Sequence, residues 1–201
     1  LRLLASLFAL TATVPASAQS GPNNVTLVQA GRLLDRPGQS PRGASTLVIR
    51  DGKIDSIYDG FDASRHPGAA VVDLRERYVL PGLIDAHVHL DSDKAGQEGL
   101  IEALTNSQAY FAYEAAVNAR KTLDAGFTTV RNLGDRDGVI LALRDAIAAG
   151  KVPGPRIIDA GVGISATSGH GDATLGLAPQ IAEHAHEENL CDGPEACRRA
   201  V

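Results

Sequence analysis

Between residues 81 and 160, short apolar runs alternate with stretches of helical period, and that order restricts the fold more than any other feature of the chain. Leu83–Leu90 follows a Pro81-Gly82 turn and reads as a strand. A long helix pattern comes next, with Leu100, Leu104, Phe111, Ala115 and Leu123 near one face. Gly126 ends it, because glycine is free to take the left-handed cap conformation. Phe127–Leu133 is a second strand, Val139–Ile147 a second helix stopped by Gly150, and Arg156–Ala160 a third strand. The order β-α-β-α-β marks a parallel α/β sheet. Three strands are too few for a closed barrel, which takes about eight. A Gly/Ser/Thr-rich loop covers residues 161–178, and Pro194 suits the first turn of a final helix, where its missing N–H costs nothing. The last residues, Arg198-Arg199-Ala200-Val201, lie inside a helix pattern, so the chain is expected to be the N-terminal part of a longer protein.

Residues 23–80 have a different rhythm. Val25–Val28, Ala70–Leu74 and Tyr78–Leu80 read as strands. Thr46–Arg50 and Lys53–Tyr58 flank Asp51-Gly52, whose residues accept the positive φ angles of a two-residue hairpin turn. Gly/Pro clusters at 37–43 and 66–68 separate the runs. The expectation is a small antiparallel β unit.

The first eighteen residues read as an export signal. Arg2 is the positive start, Leu3–Val14 the apolar stretch, Pro15 the break, and Ala16-Ser17-Ala18 the small-x-small cleavage site. The stretch is too short to span a bilayer, so the mature protein is expected in the periplasm or outside the cell, with no membrane association after cleavage. With 24 Asp+Glu against 19 Lys+Arg and no basic run, no nucleic-acid surface is expected. Cys191 and Cys197 read equally as a disulfide or as two thiols.

His87-Val88-His89 carries the chemistry. In a strand, residues i and i+2 face the same way, about 6.6 Å apart, so two imidazoles can converge on one metal ion. His89 falls near the end of its strand, and a parallel barrel places its active face at the C-terminal strand ends. The chain holds a second pair of the same form, His184-Ala185-His186, among Glu183, Glu187 and Glu188. On a helix those rings would point to nearly opposite sides, so that pair reads as solvated. Arg131 and Asp135 read as structural, pairing with each other or bordering the pocket.

The segment Leu80-Pro81-Gly82-Leu83-Ile84-Asp85-Ala86-His87-Val88-His89-Leu90 resembles the opening motif of the amidohydrolase superfamily of metal-dependent hydrolases. Ser45–Tyr58 resembles the small β-sandwich of that superfamily. Gly126–Asp135, Gly154–Ile157 and Ser168–Asp172 resemble the second strand, third strand and following loop of its imidazolonepropionase-like branch. Cys191–Glu195 through Val201 is similar to the lead-in to the fourth strand. Signal-bearing members of the branch are similar to Xaa-Pro dipeptidases and to amidases of N-acyl amino acids.

The resemblance implies the N-terminal part of a distorted (β/α)8 TIM barrel preceded by a small β-sandwich domain. The domains would be a signal peptide at 1–18, a β-sandwich part at 19–80 and the first three β/α units of the barrel at 81–201. His87 and His89 would hold one divalent metal, usually zinc, within a binuclear centre. The bridging Lys, two further His and the Asp general base would come from strands beyond residue 201. His170 would contact substrate, and Asn132, where many relatives carry Asp, receives no role. The implied activity is hydrolysis of C–N amide or peptide bonds in small substrates, such as Xaa-Pro dipeptides or N-acyl amino acids, with residues 19–201 inactive by themselves. A cyclic-amide hydrolase or deaminase of the same superfamily is the alternative enzyme. A non-catalytic barrel used as a binding module is the alternative of another class. The oligomeric state is left open.

Overall fold

The computed structural model describes residues 24–135, 137–172, 174–183 and 189–201. The export-signal expectation for residues 1–18 and the His184-Ala185-His186 pair lie outside the described residues. The chain divides into two compact units, one running to Pro81 and the other starting at Gly82.

The first unit is one four-stranded sheet built from β1 (Val25–Leu33), β2 (Ser45–Arg50), β3 (Lys53–Asp59) and β4 (Ala70–Val79), in the order β3-β2-β1-β4. The hairpin forms as expected, with Asp51 at φ 50° and Gly52 at φ 72°. Two expectations are corrected. The runs expected at 70–74 and 78–80 fall on one strand, β4, which ends at Val79, and β4 pairs with β1 in parallel, so the unit is not wholly antiparallel. The cause is the connection: after β3 a short 3-10 turn (Ala63–Arg65) and the bend at 66–69 carry the chain back before β4 begins, and β4 then runs the same way as β1. β1 is buried on both faces, with Leu27 packed against Val48 on one and Ala30 with Leu33 against Leu47 on the other. The buried polar groups of this unit are satisfied: Thr46 Oγ1 donates to the Gly60 carbonyl at 2.6 Å and Gln29 Nε2 to that of Phe61 at 3.0 Å.

The second unit carries β5 (Leu83–Val88), β6 (Phe127–Asn132) and β7 (Arg156–Asp159), parallel and in that order. Helices α1 (Gly96–Thr105), α2 (Gln108–Asp124), α3 (Val139–Ala148), α4 (Pro179–Ala182) and α5 (Pro194–Ala200) complete it. The single long helix expected after β5 is two helices. Thr105 Oγ1 donates back to the Ile101 carbonyl at 2.8 Å and Asn106 Nδ2 to that of Glu102 at 3.1 Å, while Asn106 and Ser107 are extended. Such polar side chains offer the backbone a local alternative to the helical ladder. Leu100 and Leu104 are consequently exposed, and the buried face of α2 is Phe111, Ala115 and Ala119, spaced by four.

One core joins these elements: Phe111, Ala115 and Ala119 of α2, Val139, Ile140 and Leu143 of α3, and Val130 and Ile157 from the sheet. Val130 and Ile157 sit side by side in register and so mark the helix-covered face. Ile84, Arg131 and Ile158 are exposed. Arg131 and Ile158 each stand next to one of those core residues and so belong to the opposite, open face.

Candidate functional site

The C-terminal end of β5 is where the sequence and the sheet combine. Asp85 pairs with Val130 and Val88 with Asn132, so β5 carries one extra residue between them, at Ala86–His87. A bulge of this kind locally twists a strand and re-aims its side chains. Asp85 Oδ1 accepts the His87 backbone N–H at 3.0 Å and ties down the bulged segment. His87 and His89 are both exposed, with ring centroids 5.3 Å apart and planes inclined by 66°.

That separation suits two ligands of one ion. Rings this close on one strand end are near enough for a nitrogen of each to turn to a single ion. Nitrogen donors on a water-accessible strand end are the right chemistry for a borderline divalent ion. Among the described residues, no group of three or more His, Cys, Asp or Glu side chains gathers to complete such a site. The pair is two neighbouring imidazoles, not a closed cage.

Beyond His89 the chain is fixed by two side-chain amides, Asn132 and the half-buried Asn118. Asn132 is fully buried at the end of β6. Its Oδ1 accepts the Leu90 N–H at 2.9 Å, and its Nδ2 reaches the Gly134 carbonyl at 2.5 Å and Asp159 Oδ1 at 3.4 Å. Asn118 Nδ2 donates to the Leu90 carbonyl at 3.0 Å. Asp135, read from sequence as a partner of Arg131 or a pocket residue, instead turns its two oxygens to the Ile140 and Leu141 N–H groups at 2.8 and 3.2 Å. It thereby satisfies the start of α3, where anions are favoured. Burial, and then the neighbouring Asp135 charge, push the Asp159 carboxyl above the usual carboxylate range. Sequence reading left Asn132 without a role because many relatives carry Asp there; the pairing of three strand ends is what gives its amide partners.

His170 is exposed between Gly169 and Gly171, on the loop after β7. Among the described residues, no hydrogen bond or ring contact links it to His87 or His89. Its loop is nonetheless built. Buried Asp172 accepts from the Ser168 and Thr174 N–H groups at 2.7 and 2.9 Å, and Asn189 Nδ2 donates to the Gly163 carbonyl at 2.6 Å. Cys191 N–H donates to the Ser165 carbonyl at 2.7 Å, and Asp192 accepts the Thr167 N–H at 3.0 Å. Cys191 and Cys197 are joined in a disulfide, with Cα atoms 4.4 Å apart, which decides between the two readings of that pair.

The loop after His89 runs into a charged cluster. Glu102 is buried and accepts from Lys94 Nζ at 2.6 Å, with Ser92 Oγ and Tyr110 Oη each at 3.3 Å. The Lys94 hydrogen bond is the main reason its carboxyl lies below the usual range, and the same bond raises Lys94. Glu114 is moved the other way, first by burial and then by the charges of Glu102 and Asp93, and its Oε2 is buried without a hydrogen bond among the described residues. A carboxyl raised on folding contributes stability while protonated and loses it as pH rises through its folded value. Glu114→Gln is therefore expected to raise the melting temperature at pH 7 by a few degrees. The gain should vanish below about pH 4, where the unfolded carboxyl is protonated as well. Thermal unfolding at the two pH values checks it, and a lower melting temperature at pH 7 would refute it.

Residues 78–199 match the model of the amidohydrolase family, and the chain belongs to that family. A crystal structure of a Xaa-Pro dipeptidase with methionine bound in its active site superposes with a TM-score of 0.76 at 34% identity, covering 88% of this chain and 44% of that one. Ochratoxinase of Aspergillus niger is 28% identical over 197 residues, 92% of this chain and 40% of that protein. A dihydroorotase of Anaeromyxobacter sp. (strain K) is 34% identical over 108 residues, 54% of this chain and 21% of that protein. The chain thus spans between about a fifth and two fifths of the length of these curated relatives. The fold class is that of the family: a mixed α/β chain whose three parallel strands form part of its barrel, with a small sheet before them.

Proposed function

We propose that this chain supplies the first metal-binding strand of an exported hydrolase that cleaves amide or peptide C–N bonds in dipeptides or N-acyl amino acids. The observation that carries the proposal is the His87–His89 pair, 5.3 Å between ring centres, at the C-terminal end of a bulged parallel strand. These two imidazoles would hold one divalent ion of the borderline class that ring nitrogens suit, zinc among them, and further strands of the family's barrel would supply its other ligands. When bound, such an ion supplies an activated water nucleophile and polarises the scissile carbonyl.

The protein's own part is to fix geometry. Asp85 pins the His87 backbone, which would orient that ring before an ion binds. His170, on a loop held by Asp172 and Asn189, reaches the substrate and donates to its carboxylate or to the carbonyl oxygen as charge develops. Export is supported by the small-x-small motif at residues 16–18 and by the disulfide, which persists in oxidising compartments.

The dihydroorotase relative favours one second reading, a cyclic-amide hydrolase, and product analysis separates the two. The full-length protein is incubated with Xaa-Pro dipeptides, N-acyl amino acids and cyclic amides. Release of a free amino acid from either of the first two supports the proposal. Ring opening or ammonia release without it assigns the alternative. No turnover of any of them by the metal-loaded protein defeats both and leaves the binding module.

A further inference from the structure

We infer that Asn132 is a positioning residue for the metal site: its side-chain amide sets the backbone at the end of β5 and so aims His89. This rests on the reading of His87 and His89 as ligands. The amide lies on the helix-covered side of the sheet and touches no reacting group. It acts through the chain, because the Leu90 N–H it holds is in the residue directly after His89. The peptide bond between His89 and Leu90 is planar, so fixing the Leu90 nitrogen fixes the plane from which the imidazole springs.

Three features show that this contact is not incidental packing. β5 ends at Val88, so the Leu90 N–H lies beyond the sheet ladder and needs a side-chain acceptor where it is buried. An amide serves two needs at this place: one atom accepts from Leu90 while the other donates to the Gly134 carbonyl and to Asp159 Oδ1. Asp159, in register with Asn132, is the acceptor on the next strand, so one side chain ties together the ends of β5, β6 and β7. Polar groups behind metal ligands commonly govern affinity by tenfold to a hundredfold.

The test is zinc affinity of the full-length protein, measured by competition with a chromogenic chelator, together with the visible spectrum of the cobalt-substituted form. Asn132→Leu keeps the volume and removes the acceptor. It is expected to weaken zinc binding at least tenfold and to change the cobalt spectrum. The swap Asn132→Asp with Asp159→Asn keeps an acceptor for Leu90 and restores a donor–acceptor pair between the strands, giving up only the donation to the Gly134 carbonyl. It is expected to bind zinc within about threefold of wild type. Val130→Ala removes packing from the same strand and core, and is expected to lower the melting temperature while leaving affinity within twofold.

Wild-type affinity in Asn132→Leu overturns the inference, as does an equal loss in Val130→Ala. Where Asn132→Leu does not accumulate, the swap decides alone: affinity within threefold supports the role and a tenfold loss refutes it. His89→Ala is measured alongside. If it too binds zinc like wild type, the ligand reading fails and the inference falls with it. If it loses zinc while Asn132→Leu does not, only the inference fails.

Discussion

Replacing His87 or His89 by Ala in the full-length protein is expected to abolish stoichiometric metal retention and to lower hydrolysis by at least about a thousandfold, the scale of losing a preorganised electrophilic group. Each variant should unfold like metal-free wild type, having lost only the stability that bound metal confers. Both side chains are exposed and neither belongs to the core of Phe111, Val130, Ile140 and Ile157, so their removal opens no cavity. The combination is what makes the result diagnostic. A structural histidine would lower the stability of the metal-free protein and leave metal content alone, whereas a ligand changes metal content and leaves the metal-free stability as it was. Metal analysis of the purified variants, read with thermal unfolding and turnover of the substrate class found for wild type, checks it. Two variants that keep both metal and activity would remove His87 and His89 from the site. Loss from only one would show that the pair does not converge on a single ion.

Much of the fold around the candidate site was legible in the sequence because it depends on local spacing. The alternation of apolar runs located β5, β6 and β7, and the Asp51-Gly52 turn located the hairpin, since each is dictated by residues a few positions apart. The His87–His89 spacing is of the same kind. What escaped depends on distant partners. The parallel pairing of β4 with β1 brings together residues about 45 positions apart, and no periodicity within either strand encodes a direction. The break at Asn106–Ser107 escaped for another reason: the apolar spacing from Leu100 to Phe111 continues across it, and only side-chain hydrogen bonds to Ile101 and Glu102 end α1. Asp135 was read with the wrong partner because its cap contacts lie five and six residues ahead, across a glycine turn. Asn132 is the clearest case. Its three partners sit on three separate segments, and its amide gains meaning only once β5, β6 and β7 lie side by side.

Gly31→Ala is expected to cost the first unit about 3 kcal/mol, at the upper end of what overpacking a built interior does. The cause lies in the register of the parallel pair. Ala30 pairs with Leu74 and Arg32 with Tyr78, so β4 spends three residues opposite the single Gly31. The excess folds toward β1, and the Arg75 carbonyl comes to rest over the glycine. A Cβ placed there would lie 2.0 Å from that oxygen and 3.2 Å from the Arg77 carbonyl. These are backbone atoms, so no rotamer change relieves the clash, and β4 must move. Movement would cost pairing on both sides of the irregularity and disturb the Ala30, Leu33 and Leu47 cluster beside it. The φ of Gly31 is not in the left-handed region, so the requirement is for space and not for an unusual backbone angle. That separates it from Gly52, where the turn itself asks for positive φ and open space surrounds the site. A Gly52→Ala exchange should therefore cost less, about 1 kcal/mol. Chemical denaturation of the two variants gives the comparison. A Gly31→Ala protein as stable as wild type, or more stable than Gly52→Ala, would mean that the β1–β4 register differs from the one described.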